Sequence, residues 1–89
     1  MAVRKPDPAP PQLVFLTSAT ELGAAIRAAR LGMALSEREA AQRLHVGRRF
    51  LSELEHGKPN VRLDKALQVM YGVGLAGLIV PLAALQGMR

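Results

Sequence analysis

The chain has 89 residues, enough for one domain around a shared core and too few for two separately cored ones. About half are apolar (49%), mostly Ala, Leu, Val and Ile with two Phe, one Tyr and no Trp, a palette that suits packed helices better than an aromatic cleft. Twelve basic against seven acidic residues give a net charge of +5, which favours anionic partners; the absence of cysteine excludes a disulfide framework and a thiolate metal site.

The N-terminus, Met-Ala-Val-Arg-Lys-Pro, is not followed by an apolar run of signal length, so a cytoplasmic address is expected. Pro6, Pro8, Pro10 and Pro11 then block helix and remove amide donors, predicting an extended polar tail. Leu13-Val14-Phe15-Leu16 is a short apolar run that reads either as a strand or as a staple onto the first helix. From Ser18 the period changes. Leu22, Ile26, Ala29 and Met33 share one face of a helix that Ser18 or Thr20 can cap, with Gly32 near its end.

Ser36 followed three residues later by Glu39 is a capping box, and it opens a second helix with Ala40, Ala41 and Leu44 on its buried side. That helix stops near His45-Val46-Gly47. A third runs from about Gly47 to His56, where Gly57 is placed to end it. After the turn Lys58-Pro59-Asn60, a fourth helix is defined by Leu63, Ala66, Leu67 and Met70 and ends at the glycines around 72 and 74. The remaining Leu-Ala-Gly-Leu-Ile-Val, Leu75 to Val80, reads as a short strand. The expected class is therefore mainly α: a tail over 1–17, a compact helical domain over 18–74, and a strand and tail over 75–89.

Glu37 to His56 is the most informative segment. Two helices joined by a tight turn cross steeply, which requires a small residue at the crossing and apolar residues around it. Ala41 supplies the first; Ala40, Leu44, Val46, Leu51 and Leu54 supply the second. Winding the third helix at ~100° per residue from Arg48 puts Phe50, Leu51 and Leu54 on the inner face. Arg48, Arg49, Ser52, Glu53 and His56 fall on the outer one. Forked guanidiniums can grip guanine O6 and N7, serine can donate or accept, and a helix N-terminus attracts phosphate. In that setting Glu53 screens or orients an arginine rather than reading a base.

Other chemistries find little support. Glu37 and Glu39, like Glu53 and Glu55, are two residues apart and point to different sides of a helix, so neither pair serves as an acid–base dyad. His45 and His56 read as structural or solvated side chains; no metal, cofactor or enzymatic activity is expected. The uncharged stretch Val69 to Leu85 would span roughly 25 Å as a helix, short of a ~30 Å hydrocarbon core, and Gly72, Gly74, Gly77 and Pro81 interrupt it, so no membrane partner is expected.

Three segments carry a resemblance: Leu35-Ser36-Glu37-Arg38-Glu39-Ala40-Ala41, Val46-Gly47-Arg48-Arg49-Phe50-Leu51-Ser52-Glu53-Leu54-Glu55, and Gly57-Lys58-Pro59-Asn60-Val61-Arg62-Leu63-Asp64. Over Thr20 to about Val80 the chain resembles the XRE/Cro-type helix-turn-helix family, lambda-repressor-like in fold, and within it the HipB-like antitoxins of toxin–antitoxin operons. The resemblance implies that Gly47, Arg48, Arg49 and Ser52 occupy base-reading positions and that Arg30 and Glu55 form an ion pair between the first and third helices. Ser36, Arg43, Lys58 and Arg62 are the candidate phosphate contacts, on helix ends and loops flanking the recognition helix. Leu75, Leu78, Ile79 and Val80 look like a strand that pairs across a homodimer. An inverted-repeat DNA operator and a HipA-like serine/threonine kinase toxin are the implied partners, with autoregulated repression as the implied role. Two positions depart from the family pattern: His45 stands where glycine is usual, and Glu37 replaces an amide side chain that touches phosphate. The competing reading is a protein-interaction module, toxin-neutralising or dimerising, with little specific DNA binding.

Overall fold

The computed structural model describes residues 13–87, and the proline-rich stretch up to Gln12 lies outside them. Among the described residues there are five helices: α1 (Ala19–Gly32), α2 (Glu37–Leu44), α3 (Arg48–Glu55), α4 (Leu63–Gly72) and α5 (Leu82–Gln86). α1 and α2 both pack on α3, and α4 packs on α2. No helix among these residues is long and apolar enough to cross a membrane.

Local chemistry accounts for most boundaries. Ser18, not Thr20, caps α1, its Oγ accepting from Glu21 N–H at 3.2 Å, while Thr17 donates from both its backbone and its hydroxyl to the Glu21 carboxylate at 2.6 Å. The capping box at α2 forms in full: Glu39 N–H donates to Ser36 Oγ (3.0 Å) and Ser36 N–H to Glu39 Oε1 (2.9 Å). These bonds hold the Glu39 carboxyl below its usual range, so the cap is intact at neutral pH and weakens as acid protonates it. α2 ends at His45, which adopts the left-handed conformation (φ 57°) usually given to glycine. Ala34, between α1 and α2, does the same (φ 58°), and nothing in its side chain announces it. Gly57 closes α3 at φ +82°, against the backbone of Thr20.

The core is Ile26 from α1, Ala40 and Ala41 from α2, Leu51 and Leu54 from α3, and Ala66, Val69 and Val73 from α4 and its end. Both alanines are buried, so the α2–α3 crossing uses two small residues side by side. Ile26, Leu51, Leu54 and Val69 are fully buried, each stabilising by ~1.5–3 kcal/mol relative to exposure.

Two expectations need correction. The buried face of α4 is Ala66, Val69 and Val73 with Met70 beside them, whereas Leu63 and Leu67 are exposed. The sequence satisfies a helical stripe in two overlapping frames, and packing on α2 selects the second. Gln68 confirms the orientation by donating to the Leu44 carbonyl at 2.8 Å, supplying a partner for the end of α2.

The second correction concerns Leu75 to Val80, which form no strand; the described residues contain none. A strand exists through its ladder, and among the described residues the segment has no ladder partner. Beyond Leu75 N–H, which donates to Met70 O at 3.0 Å, it makes no backbone hydrogen bond among the described residues. Leu75 packs on the core, Val80 is half-buried, and Leu78 and Ile79 stand 83% and 99% exposed. Pro81 then starts α5. The Leu13–Leu16 run is likewise without regular structure, and the two segments face a common apolar groove of about 540 Å³ with Leu82 and Leu85 of α5.

Candidate nucleic-acid interface

α3 divides its sides sharply. Leu51, Leu54 and Glu55 are buried, and Phe50 is half-buried with Lys65 Nζ 6.0 Å above its ring. Arg48 and Arg49 are exposed at the first turn, and Ser52 is half-buried one turn on. Gly47 is the N-cap, with φ −69° and ψ 143°, and open space where a Cβ would sit. Among the described residues, neither strain nor crowding therefore calls for glycine there.

The charge arrangement at this end is unusual. Aligned peptide dipoles leave the helix N-terminus positive, so carboxylates favour it and cations do not, by roughly 0.3–1 kcal/mol each. α3 has no acidic residue in its first turn and no side-chain cap, yet it starts with two arginines. The first turn thus combines uncapped amides with two exposed arginines, the second reaching toward Glu53 one turn on, a concentration of positive charge that an anion would relieve.

The other cations stand on neighbouring elements. Lys58, on the turn after α3, donates from Nζ to Glu53 Oε2 at 3.2 Å, and Arg49 Nε approaches the same oxygen at 3.5 Å. Arg43 is exposed in the last turn of α2. Arg62, the N-cap of α4, grips Asp64 through two hydrogen bonds (3.1 and 2.6 Å), which lowers the Asp64 pKa and raises that of Arg62. Among the described residues, neither Arg43 nor Arg62 makes an ion pair with the Arg49–Glu53–Lys58 cluster. Ser36 uses its oxygen as an acceptor in the α2 cap, and its hydroxyl proton remains for another partner.

Behind α3 lies the support for this surface. Arg30 Nε and Nη2 donate to Glu55 Oε2 and Oε1 at 2.6 and 2.9 Å, with side chains 7% and 1% exposed, and Nη1 donates to Leu35 O at 2.7 Å. The Glu55 hydrogen bonds raise the Arg30 pKa against an opposing desolvation. One buried side chain thereby joins α1, α3 and the link into α2. Gly23, which sequence reasoning passed over, is the second support. A Cβ there would run into the Leu54 carbonyl and come within 2.7 Å of the Glu55 carbonyl, so glycine allows α1 to lie directly on the end of α3. A glycine inside a helical pattern costs stability without such a contact, and that was the available signal.

No family model matches the chain. It is 39% identical over 54 residues to an uncharacterized HTH-type transcriptional regulator, y4mF, of Sinorhizobium fredii, a match spanning 61% of this chain and 71% of the relative. Among solved structures, a HipB–O4 20mer complex superposes with a TM-score of 0.70 at 17% identity, covering 79% of this chain and 99% of that one. A HipA–HipB–O2–O3 complex gives the same TM-score, identity and coverage. At that identity the likeness is one of fold.

Proposed function

Since this chain belongs to the HTH-type transcriptional regulators, we propose that it is a sequence-specific DNA-binding repressor that lays α3 in the major groove of its operator. The observation that carries this reading is the N-terminus of α3: uncapped, without an acidic residue in its first turn, and opened by two exposed arginines. Phosphate and the guanine edge are the ligands that relieve such an arrangement. Gly47, Arg48, Arg49 and Ser52 then read bases, while Ser36, Arg43, Lys58 and Arg62 hold phosphates at the flanks. No catalytic role is proposed.

The repressor acts as a homodimer on an inverted repeat, because one such helix reads too few base pairs to be selective in a genome. The apolar groove supports this reading, since Leu78 and Ile79 are left uncovered by the described residues. The finer role is that of a cytoplasmic antitoxin in a HipBA-like operon, repressing its own promoter and binding a HipA-like kinase toxin. The fold it shares with HipB, solved in complex with HipA and DNA, supports that assignment.

Enrichment of randomised duplexes by the purified protein, followed by titration of the selected sequence, tests the central claim. Arg48→Ala and Arg49→Ala should each weaken specific binding by roughly 1–3 kcal/mol with unchanged circular dichroism. Unaltered affinity in the double variant would overturn it. A HipA-like kinase that fails to co-purify with the chain would remove the antitoxin role and leave the DNA reading standing.

A further inference from the structure

We infer that Glu53 is a positioning residue for sequence reading: its carboxylate, anchored by Lys58, holds Arg49 by Nε so that the guanidinium meets a base end-on. The inference rests on the DNA-reading role of α3 proposed above and assigns part of its selectivity to a residue that makes no base contact.

Three observations support it. Glu53 is tied at both ends to the turn that follows α3, its carbonyl accepting from Lys58 N–H at 3.0 Å and its Oε2 from Lys58 Nζ at 3.2 Å. It is only 31% exposed, whereas the Arg49 side chain is 91% exposed, so a held carboxylate meets an otherwise unconfined arginine. The carboxylate oxygen lies 3.5 Å from Nε, an ion pair rather than a hydrogen bond, with the terminal nitrogens left to the solvent side. A guanidinium can offer a base edge either its two terminal nitrogens or one terminal nitrogen and Nε. A carboxylate drawn to Nε favours the symmetric end-on fork that matches guanine O6 and N7.

Helix stabilisation is the weaker account of the pair. A carboxylate preceding its cation by four residues is the favourable order on a helix; here Arg49 precedes Glu53. The placement also puts a negative charge on a surface facing phosphates, which opposes indiscriminate binding. Glu53 is thus expected to strengthen binding at the right sequence and weaken it elsewhere, two effects of opposite sign from one side chain.

The test compares wild type, Glu53→Gln and Glu53→Asp on the selected duplex and on a scrambled duplex of the same composition. Glu53→Gln should bind the selected duplex about twofold to fivefold more weakly, the size of a good exposed ion pair, and the scrambled duplex at least as tightly as wild type. Glu53→Asp, which keeps the charge and loses the reach, should lose affinity for the selected duplex alone. In an Arg49→Ala background, Glu53→Gln should no longer weaken binding to the selected duplex and should act on both duplexes alike. An equal rise on both duplexes would reduce Glu53 to a repelling charge and overturn the inference. Without DNA, the Arg49 Nε–H resonance should shift in Glu53→Gln; an unmoved resonance sinks the positioning role by itself. Failure of the wild type to enrich any sequence would instead defeat the repressor reading and, with it, this one.

Discussion

Between Ser18 and Gly74 the large aliphatic side chains that pack the helices are hidden, while the segments on either side leave theirs in water. Ile26, Leu51, Leu54 and Val69 have no exposed surface worth naming; Leu13, Leu16, Leu78, Ile79 and Leu82 are each more than half exposed. The flanking segments, residues 13–17 and 75–87, are the more apolar of the two and carry no charged residue, so hydrophobicity alone does not decide which side chains are buried. What separates them is whether the chain itself can close around the residue. Three crossing helices surround a site from several sides, whereas a loop and a one-turn helix at the edge cover one side only. An apolar surface of that kind, lying together along one groove, is what the proposed dimer contact rests on. Damage to the first region should therefore appear as unfolding, and damage to the second as loss of assembly.

The strongest way to break the helical region is to remove one half of its buried ion pair. Arg30→Met should cost about 3–5 kcal/mol in urea unfolding, because Glu55 would remain charged and unpaired. Arg30→Met with Glu55→Leu should recover most of the loss; no recovery would show that the bond to the Leu35 carbonyl, not the pair, is what matters. A smaller effect is expected from Gly23→Ala, about 1–3 kcal/mol destabilising through overpacking against the end of α3. Gly32→Ala, in the same helix with open space at its Cβ, should stabilise by up to about 1 kcal/mol. Equal responses from the two glycines would refute the close α1–α3 approach. The smallest stability effect belongs to the other region. Ile79→Asp should alter unfolding of the isolated chain by about 0.5 kcal/mol or less, yet convert a homodimer to monomer in sedimentation velocity. A dimer that persists would move the interface away from the groove.

Element starts were legible because they depend on neighbours in sequence. Ser36 and Glu39 find each other across one turn whatever the rest of the chain does, and the inner and outer sides of α3 follow from its 3.6-residue period. The Arg30–Glu55 pair was legible only through family resemblance, since 25 residues separate the partners. The buried frame of α4 was misread because two apolar stripes overlap on it, and only contact with α2 chooses between them. Glu53 was marked as an arginine's companion, but its anchoring by Lys58 depends on how the turn after α3 folds back.

The sequence by itself determined the four main helices, the capping box of α2 and the outward set of Arg48, Arg49 and Ser52, because local hydrogen bonds and helical periodicity act over a few residues. Tertiary structure alone decided the roles of Gly23, Gln68 and Ala34, the frame of α4 and the state of Leu75 to Val80. Each of these depends on what lies opposite in space: a carbonyl too near for a Cβ, a helix end needing a donor, or, for the last segment, a ladder partner that the described residues do not supply.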